Sequence, residues 1–296
     1  LTVVKSRKYF KPLLPVLILF GFLYTPVSPG NLIYSDESLY NIIKVYDYPD
    51  YRDLRLNYDR LVHSRMPKKG VLTDSYWDYP TLTPLLNNAE TLLQIGLGAG
   101  TTVKQLEYFY DIKIDVVELD AGVVYAAREY FNVTESEKTR IIIEDGRRFL
   151  TTAGVFDVII VDAFSGGPEI PFYMVTKEFY QLTYDHLSEN GVLAVNTLAS
   201  KENTELSDTV SSTIASVYPQ VYQLRVRNNI VVLGFKRKHT LDEIRESLGK
   251  ADPELSKTAS NAIKHITLFN KTGLPVYTDD HAPVEQLTYA TIGDLI

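Results

Sequence analysis

QVYQLRV (220–226) and NIVVLGF (229–235) are separated by Arg227-Asn228 alone. Both are Val, Leu and Ile-rich runs of strand length. Two intervening residues leave no room for a crossover helix, so these strands pair antiparallel. Upstream, the chain alternates strand-like and helix-like patterns. The strands are TLLQI (91–95), KIDVVEL (113–119), TRIIIE (139–144), FDVIIVD (156–162) and GVLAVN (191–196). All but the second are near-continuous apolar runs, the pattern of parallel strands covered on both faces. Amphipathic stretches lie between them at 102–110, 121–131 and 176–187, and another spans 205–217. Alternation of this kind makes a doubly wound α/β sheet.

A mostly parallel seven-stranded sheet closed by a late antiparallel hairpin is the arrangement of Rossmann-like, S-adenosylmethionine-dependent methyltransferase folds, and not of NAD dehydrogenases. YNIIKVYD (40–47) and DLRLNYD (53–59) form a small β segment before it, ending near Pro84. The domain boundaries expected are 1–30 for a hydrophobic N-terminal segment, 31–86 for the small β domain, 87–240 for the cofactor-binding α/β domain, and 241–296 for a helical extension. In that extension, helices are expected at 240–248 and 259–269.

The first α/β strand runs into Gly96-Leu97-Gly98-Ala99-Gly100 and then a helix. Glycines at such a turn let the backbone approach a ligand beside the positive end of the helix. Glu118 ends the next strand, 18 residues beyond Gly100, where an acid accepts hydrogen bonds from ribose hydroxyls. Asp145-Gly146 follow the third strand, with Asp145 placed to accept from an adenine amino group and Gly146 to let the ring lie flat. Asp162 ends the fourth. All four features sit at the carboxyl ends of successive strands, where open α/β sheets bind ligands. The longer spacing preferred by NAD is absent, since position 101 is Thr.

Composition narrows the chemistry. The 296 residues include no Cys, which excludes disulfides, thiolate nucleophiles and Cys-ligated metals. Five unclustered His leave a His-built metal site without support, so no metal is expected. A net charge of −7 argues against a nucleic-acid surface and suits a small or cationic partner. Twelve consecutive apolar residues (13–24) follow four basic residues, too short a run for a spanning helix unless its neighbours are recruited. A short anchor, a signal-like segment and a buried arm of the fold all remain open.

The run GLGAG, VELD, EDGRRFL, DVIIVDAFSGGPEIPFYMVTKEFYQ and GVLAVN, with SLYN (38–41), YWDYPTL (76–82) and TDDHAPVE (278–285), resembles the spermidine synthase (polyamine aminopropyltransferase) family. It is most similar to the branch fused to membrane transporter-like segments. The resemblance implies aminopropyl transfer from decarboxylated S-adenosylmethionine to an amine acceptor, in polyamine biosynthesis. It places Gly96, Gly98 and Gly100 at the sulfonium, Glu118 at the ribose, Asp145 and Gly146 at the adenine, and Asn41 where the family commonly binds cofactor through Gln. Asp162 matches the catalytic aspartate that takes the proton of the attacking amine. Tyr76, Asp78, Tyr173, Asp279 and Asp280 are candidates for the acceptor site, with Glu285 beside them. A homodimer or tetramer and a cytoplasmic catalytic domain, membrane-anchored or not, are further family expectations.

Two departures weigh on the product. Ala99 stands where polyamine-forming members carry an acid for the aminopropyl ammonium, and Ser165 replaces a second acid. Methyl transfer from S-adenosylmethionine itself is therefore the alternative, and a non-catalytic nucleoside-binding membrane subunit a further one. Residues 163–175 read as a loop able to exclude water.

Overall fold

In a computed structural model, residues 30–58, 61–164, 167 and 169–293 are described. The basic and apolar N-terminal segment and Ser165 lie outside them. Among the described residues, no helix is long and apolar enough to cross a membrane.

Four antiparallel strands come first: β1 (Asn31–Glu37), β2 (Ile42–Asp47), β3 (Tyr51–Leu56) and β4 (Ser64–Pro67), paired in that order. The sequence marked only the middle two. β1 is mostly exposed and carries no apolar alternation, and β4 is four residues ending in proline. The segment does not run as strand to Pro84. Two 3-10 turns, Tyr76–Asp78 and Pro80–Leu86, occupy its end; Pro80 and Pro84 lack the N–H groups that a ladder needs.

The α/β part follows as β5 (Thr91–Ile95), α1 (Thr101–Phe109), β6 (Lys113–Glu118), α2 (Ala121–Phe131), β7 (Thr139–Ile143), α3 (Gly146–Leu150), β8 (Phe156–Val161), α4 (Lys177–Asp185), β9 (Leu187–Leu198), α5 (Glu205–Ala215), β10 (Gln220–Val226) and β11 (Asn229–Phe235). Then come α6 (Leu241–Leu248), α7 (Ser256–His265), β12 (Ile266–Leu268) and α8 (Val284–Gly293). The large sheet has the order β12-β10-β11-β9-β8-β5-β6-β7. Strands β5 to β9 pair in parallel, and β10 and β11 form the antiparallel hairpin in the register Val226↔Asn229. The seven expected strands are all present. β12 is an eighth, antiparallel on β10, where the sequence suggested a continuing helix. Its three residues are too few to show a strand period, and only the unpaired edge of β10 reveals them.

Apolar side chains alternate across this sheet. Leu92, Val116, Val158 and Ile160 enter one core together with Ile43, Val45 and Leu54 of the small sheet. Leu93, Ile95, Val117 and Ile159 enter the other with Phe179 and Tyr180 of α4. Burial on both faces explains the unbroken apolar runs. The small sheet is tied down beyond its shared core. Arg65 donates to both oxygens of fully buried Asp53 at 2.7 and 2.9 Å, and Arg52 Nη1 donates to the Tyr130 carbonyl at 2.6 Å. The Arg65–Asp53 pair joins β4 to β3 within the small sheet, and the Arg52 bond ties that sheet to the end of α2.

Candidate active site

At the carboxyl ends of β5, β6 and β8, beneath the small sheet, lies a cavity of about 410 Å³. Its floor begins at Gly96, held at φ 95°. A Cβ there would lie 2.3 Å from the Asp162 carbonyl oxygen, so only glycine lets the turn after β5 pass so close to the end of β8. Gly98 also lines the cavity. Gly100 does not: it caps α1 from outside, packed towards Val133. Gly146 closes the floor against Ile95, where a Cβ would meet Cγ2 at 2.3 Å.

Glu118 is fastened by this loop. Its carboxylate accepts the Leu97 N–H at 2.9 Å and the Asp120 N–H at 3.0 Å. Burial pushes the carboxyl above its ordinary pKa, against those N–H groups, which favour the anion. Each carboxylate oxygen has a second lone pair, so Glu118 keeps acceptor capacity towards the cavity. Asn41 reaches the same corner, donating to Asp120 Oδ2 at 2.7 Å, where Ser38 also donates at 2.6 Å. Asn41 lines the cavity.

Asp162 stands on the opposite wall, just past β8. Burial pushes its pKa up to about 6, against one stabilising bond from Asn196 Nδ2 at 2.9 Å. Asn229 Nδ2 in turn donates to Asn196 Oδ1 at 3.0 Å. A carboxyl with a pKa near neutrality, held by an oriented amide pair, is suited to taking a proton and giving it up again. Tyr76 is outside the cavity lining, its ring tilted 36° against Trp77 (4.6 Å between ring centroids), and burial followed by the charge of Asp162 keeps its hydroxyl well above the ordinary range. Trp77 itself lines the cavity.

The remaining candidates divide. Tyr173 lines the cavity; its hydroxyl donates to Asp145 Oδ2 at 2.8 Å while Arg148 N–H bonds Oδ1 at 2.9 Å. Asp145 thus sits behind Tyr173 rather than on the cavity surface. Asp78 faces away, 1% exposed, with Oδ1 accepting from Thr73 and Gln105. Asp279 is not on the cavity either: Arg147 grips both its oxygens at 2.7 and 2.6 Å, and Thr176 donates to Oδ1 at 2.7 Å. The guanidinium holds the Asp279 carboxyl below its ordinary pKa. Asp280 is exposed and absent from the lining. From the same peptide it is Glu285, in the first turn of α8, that reaches the cavity.

Two cavity groups, Gln94 and His63, and one residue behind the cavity, Asn196, carried no sequence signal. Gln94 lies within β5, donating to the Gly96 carbonyl at 2.9 Å. Asn196 ends the β9 run GVLAVN and reads as an ordinary strand residue. His63 accepts the Leu56 N–H at Nδ1 (3.1 Å), which leaves the proton on Nε2, facing the Gly167 carbonyl at 3.3 Å. Burial holds this imidazole below its ordinary pKa. His63 thereby fastens the loop after β8, which also buries Ile170, Met174 and Val175 in the second core. Among the described residues of this loop, Pro171, Phe172, Tyr173 and Met174 line the cavity.

The spermine/spermidine synthase domain model matches residues 80–230. A probable polyamine aminopropyl transferase from Bifidobacterium longum is 31% identical over 289 residues, covering 90% of this chain. A polyamine aminopropyltransferase from Vibrio vulnificus is 34% identical over 237 residues, covering 72%. The chain spans 64% and 75% of the lengths of these relatives. Among solved structures, a probable spermidine synthase from Corynebacterium glutamicum superposes with a TM-score of 0.65 at 17% identity, over 86% of this chain and 98% of that one, which shows a shared fold.

Proposed function

The chain belongs to the spermine/spermidine synthase family, and from that premise we propose that it transfers an aminopropyl group from decarboxylated S-adenosylmethionine to a small amine in polyamine biosynthesis. The observation that carries this reading is the pairing across one cavity of Glu118, pinned to the glycine turn, with Asp162, whose pKa of about 6 suits a proton acceptor. The adenosyl substrate lies along the carboxyl edge of the sheet. Glu118 takes the ribose hydroxyls, Asn41 supports that corner through Asp120, and Gly96 and Gly98 admit the sulfonium. Gly146 and the Tyr173 oxygen flank the adenine, with Asp145 orienting the Tyr173 hydroxyl.

The amine nitrogen attacks the carbon attached to sulfur. The carbon–sulfur bond breaks as the carbon–nitrogen bond forms, and the leaving group is neutral methylthioadenosine. The protein therefore has to align the nucleophile and remove its proton. Asp162 binds the acceptor as its ammonium and takes one proton from it, which frees the nitrogen lone pair for attack and leaves the product as a secondary ammonium; Asn196 keeps the carboxylate oriented. Ala99 is fully buried in the first core and offers nothing to a cation. Glu285 is the carboxylate that faces the second ammonium in its place.

The apolar Ala99 also supports a second reading, methyl transfer from S-adenosylmethionine, which needs no partner for an aminopropyl ammonium. Incubation with either sulfonium donor and a panel of diamines separates the two. The proposal expects methylthioadenosine from the decarboxylated donor. S-adenosylhomocysteine from the intact donor would replace it with the second reading. An N-terminal anchor and a dimeric or tetrameric assembly accompany this proposal through family resemblance.

A further inference from the structure

Trp77 and Asp78 are neighbours in one 3-10 turn, yet they face different cavities. Trp77 lines the site described above, whereas Asp78 turns into a cleft of about 660 Å³ between that turn, the end of β10 and α7. The two share no lining residue. Five cations line the second cleft: Lys201, Arg225, Arg227, Lys257 and Lys264. Two carboxylates face them. Asp74 pairs with Lys257 at 2.6 Å, and Asp78 Oδ1 is committed to Thr73 and Gln105. Arg225 donates to the Ser200 carbonyl. Lys201, Arg227 and Lys264 have no ion-pair or hydrogen-bond partner among the described residues.

Uncompensated positive charge gathered in a concavity departs from the rest of a chain whose net charge is −7. Like charges left together without partners repel, and a bound anion relieves that repulsion. Arg227 sharpens the point. It sits in the two-residue turn between β10 and β11 at φ 52°, a conformation that residues other than glycine and asparagine adopt infrequently. From there its charge reaches both Lys257 and the hydroxyl of Tyr79, which also lines the cleft.

We propose that this cleft binds a small molecule carrying a diphosphate or triphosphate. Arg227 supplies a planar fork matched to two phosphate oxygens, and Lys201 and Lys264 supply point charges on either side. Tyr79 and Asn261, joined by a hydrogen bond, offer an aromatic face and an amide to the remainder of the ligand. The volume suits a nucleotide-sized ligand. A nucleic acid would need a longer basic track than one concave patch on an acidic chain.

Calorimetric titration with pyrophosphate tests this directly, since pyrophosphate has no adenosyl group to enter the first cavity. Saturable binding is expected, about tenfold tighter than for orthophosphate, because a second phosphate engages further charge-assisted bonds. Arg227→Ser combined with Lys264→Ser should weaken it by about tenfold or more, with unchanged thermal unfolding because both side chains are exposed. Absence of saturable heat up to about 10 mM pyrophosphate, or equal affinity in the double variant, would overturn the assignment. So would a single-stranded RNA oligonucleotide that binds far more tightly than pyrophosphate through the same two residues.

Discussion

Asp162→Asn keeps the shape of the side chain and the contact with Asn196 but removes the proton acceptor. A primary amine has a pKa near 10, so at pH 7 only about one molecule in a thousand is free of its proton. A positioned general base is worth about 10²–10⁴ in rate, and kcat should fall by that much. The pH profile gives a second, independent reading. With a pKa of about 6, Asp162 must lose its proton before it can accept one, so kcat/KM for wild-type protein should rise through pH 6 and be about tenfold lower at pH 5 than at its plateau. The Asn variant should lose that acid limb. Stability should move the opposite way. Burial raises the folded-state carboxyl above its unfolded-state value, so folding binds a proton between about pH 4 and pH 6 and stability falls as pH rises through that window. Two pKa units correspond to a ceiling of about 3 kcal/mol. The variant should therefore unfold a few degrees above wild type at pH 8, and the difference should vanish near pH 4. Methylthioadenosine release within threefold of wild type, or an acid limb that persists near pH 6 in the variant, would refute the role of Asp162.

Asn196→Ala removes the bond that favours ionised Asp162, so the acid limb of kcat/KM should shift above pH 6; a limb that stays in place would show that Asn196 does not tune the carboxyl. Asp279→Asn should raise KM for the adenosyl substrate more than for the amine, because Arg147 also donates to the Tyr173 carbonyl at 2.9 Å; the reverse pattern would return Asp279 to the acceptor site. Gly146→Ala would force Ile95 to shift, lowering stability by about 1–3 kcal/mol in thermal unfolding, and an unchanged melting temperature would contradict the close approach.

The parallel strands were readable because burial on both faces leaves unbroken apolar runs, and the hairpin because two residues admit no other connection. β1, β4 and β12 were not. Their pairing depends on neighbouring strands rather than on any pattern of their own, as the polar, exposed β1 illustrates. In the site, Glu118, Asp162 and Gly146 were legible because strand ends converge wherever the sheet is parallel. Asp78 and Asp279 were acids in suggestive peptides, but a carboxylate answers to its nearest donors, and Gln105 and Arg147 arrive from distant parts of the chain. His63 was concealed because its partner, Gly167, lies 104 residues away, and Asn196 because its contact with Asp162 follows only from the β8–β9 pairing, Val161 lying opposite Val195.

Titration of the protein with methylthioadenosine, followed by calorimetry, bears most directly on whether this edge of the sheet holds an adenosyl thioether. Saturable binding is expected, weakened by about tenfold or more in Glu118→Ala through loss of the ribose contacts. No measurable heat from wild-type protein, or an affinity indifferent to Glu118, would contradict the account.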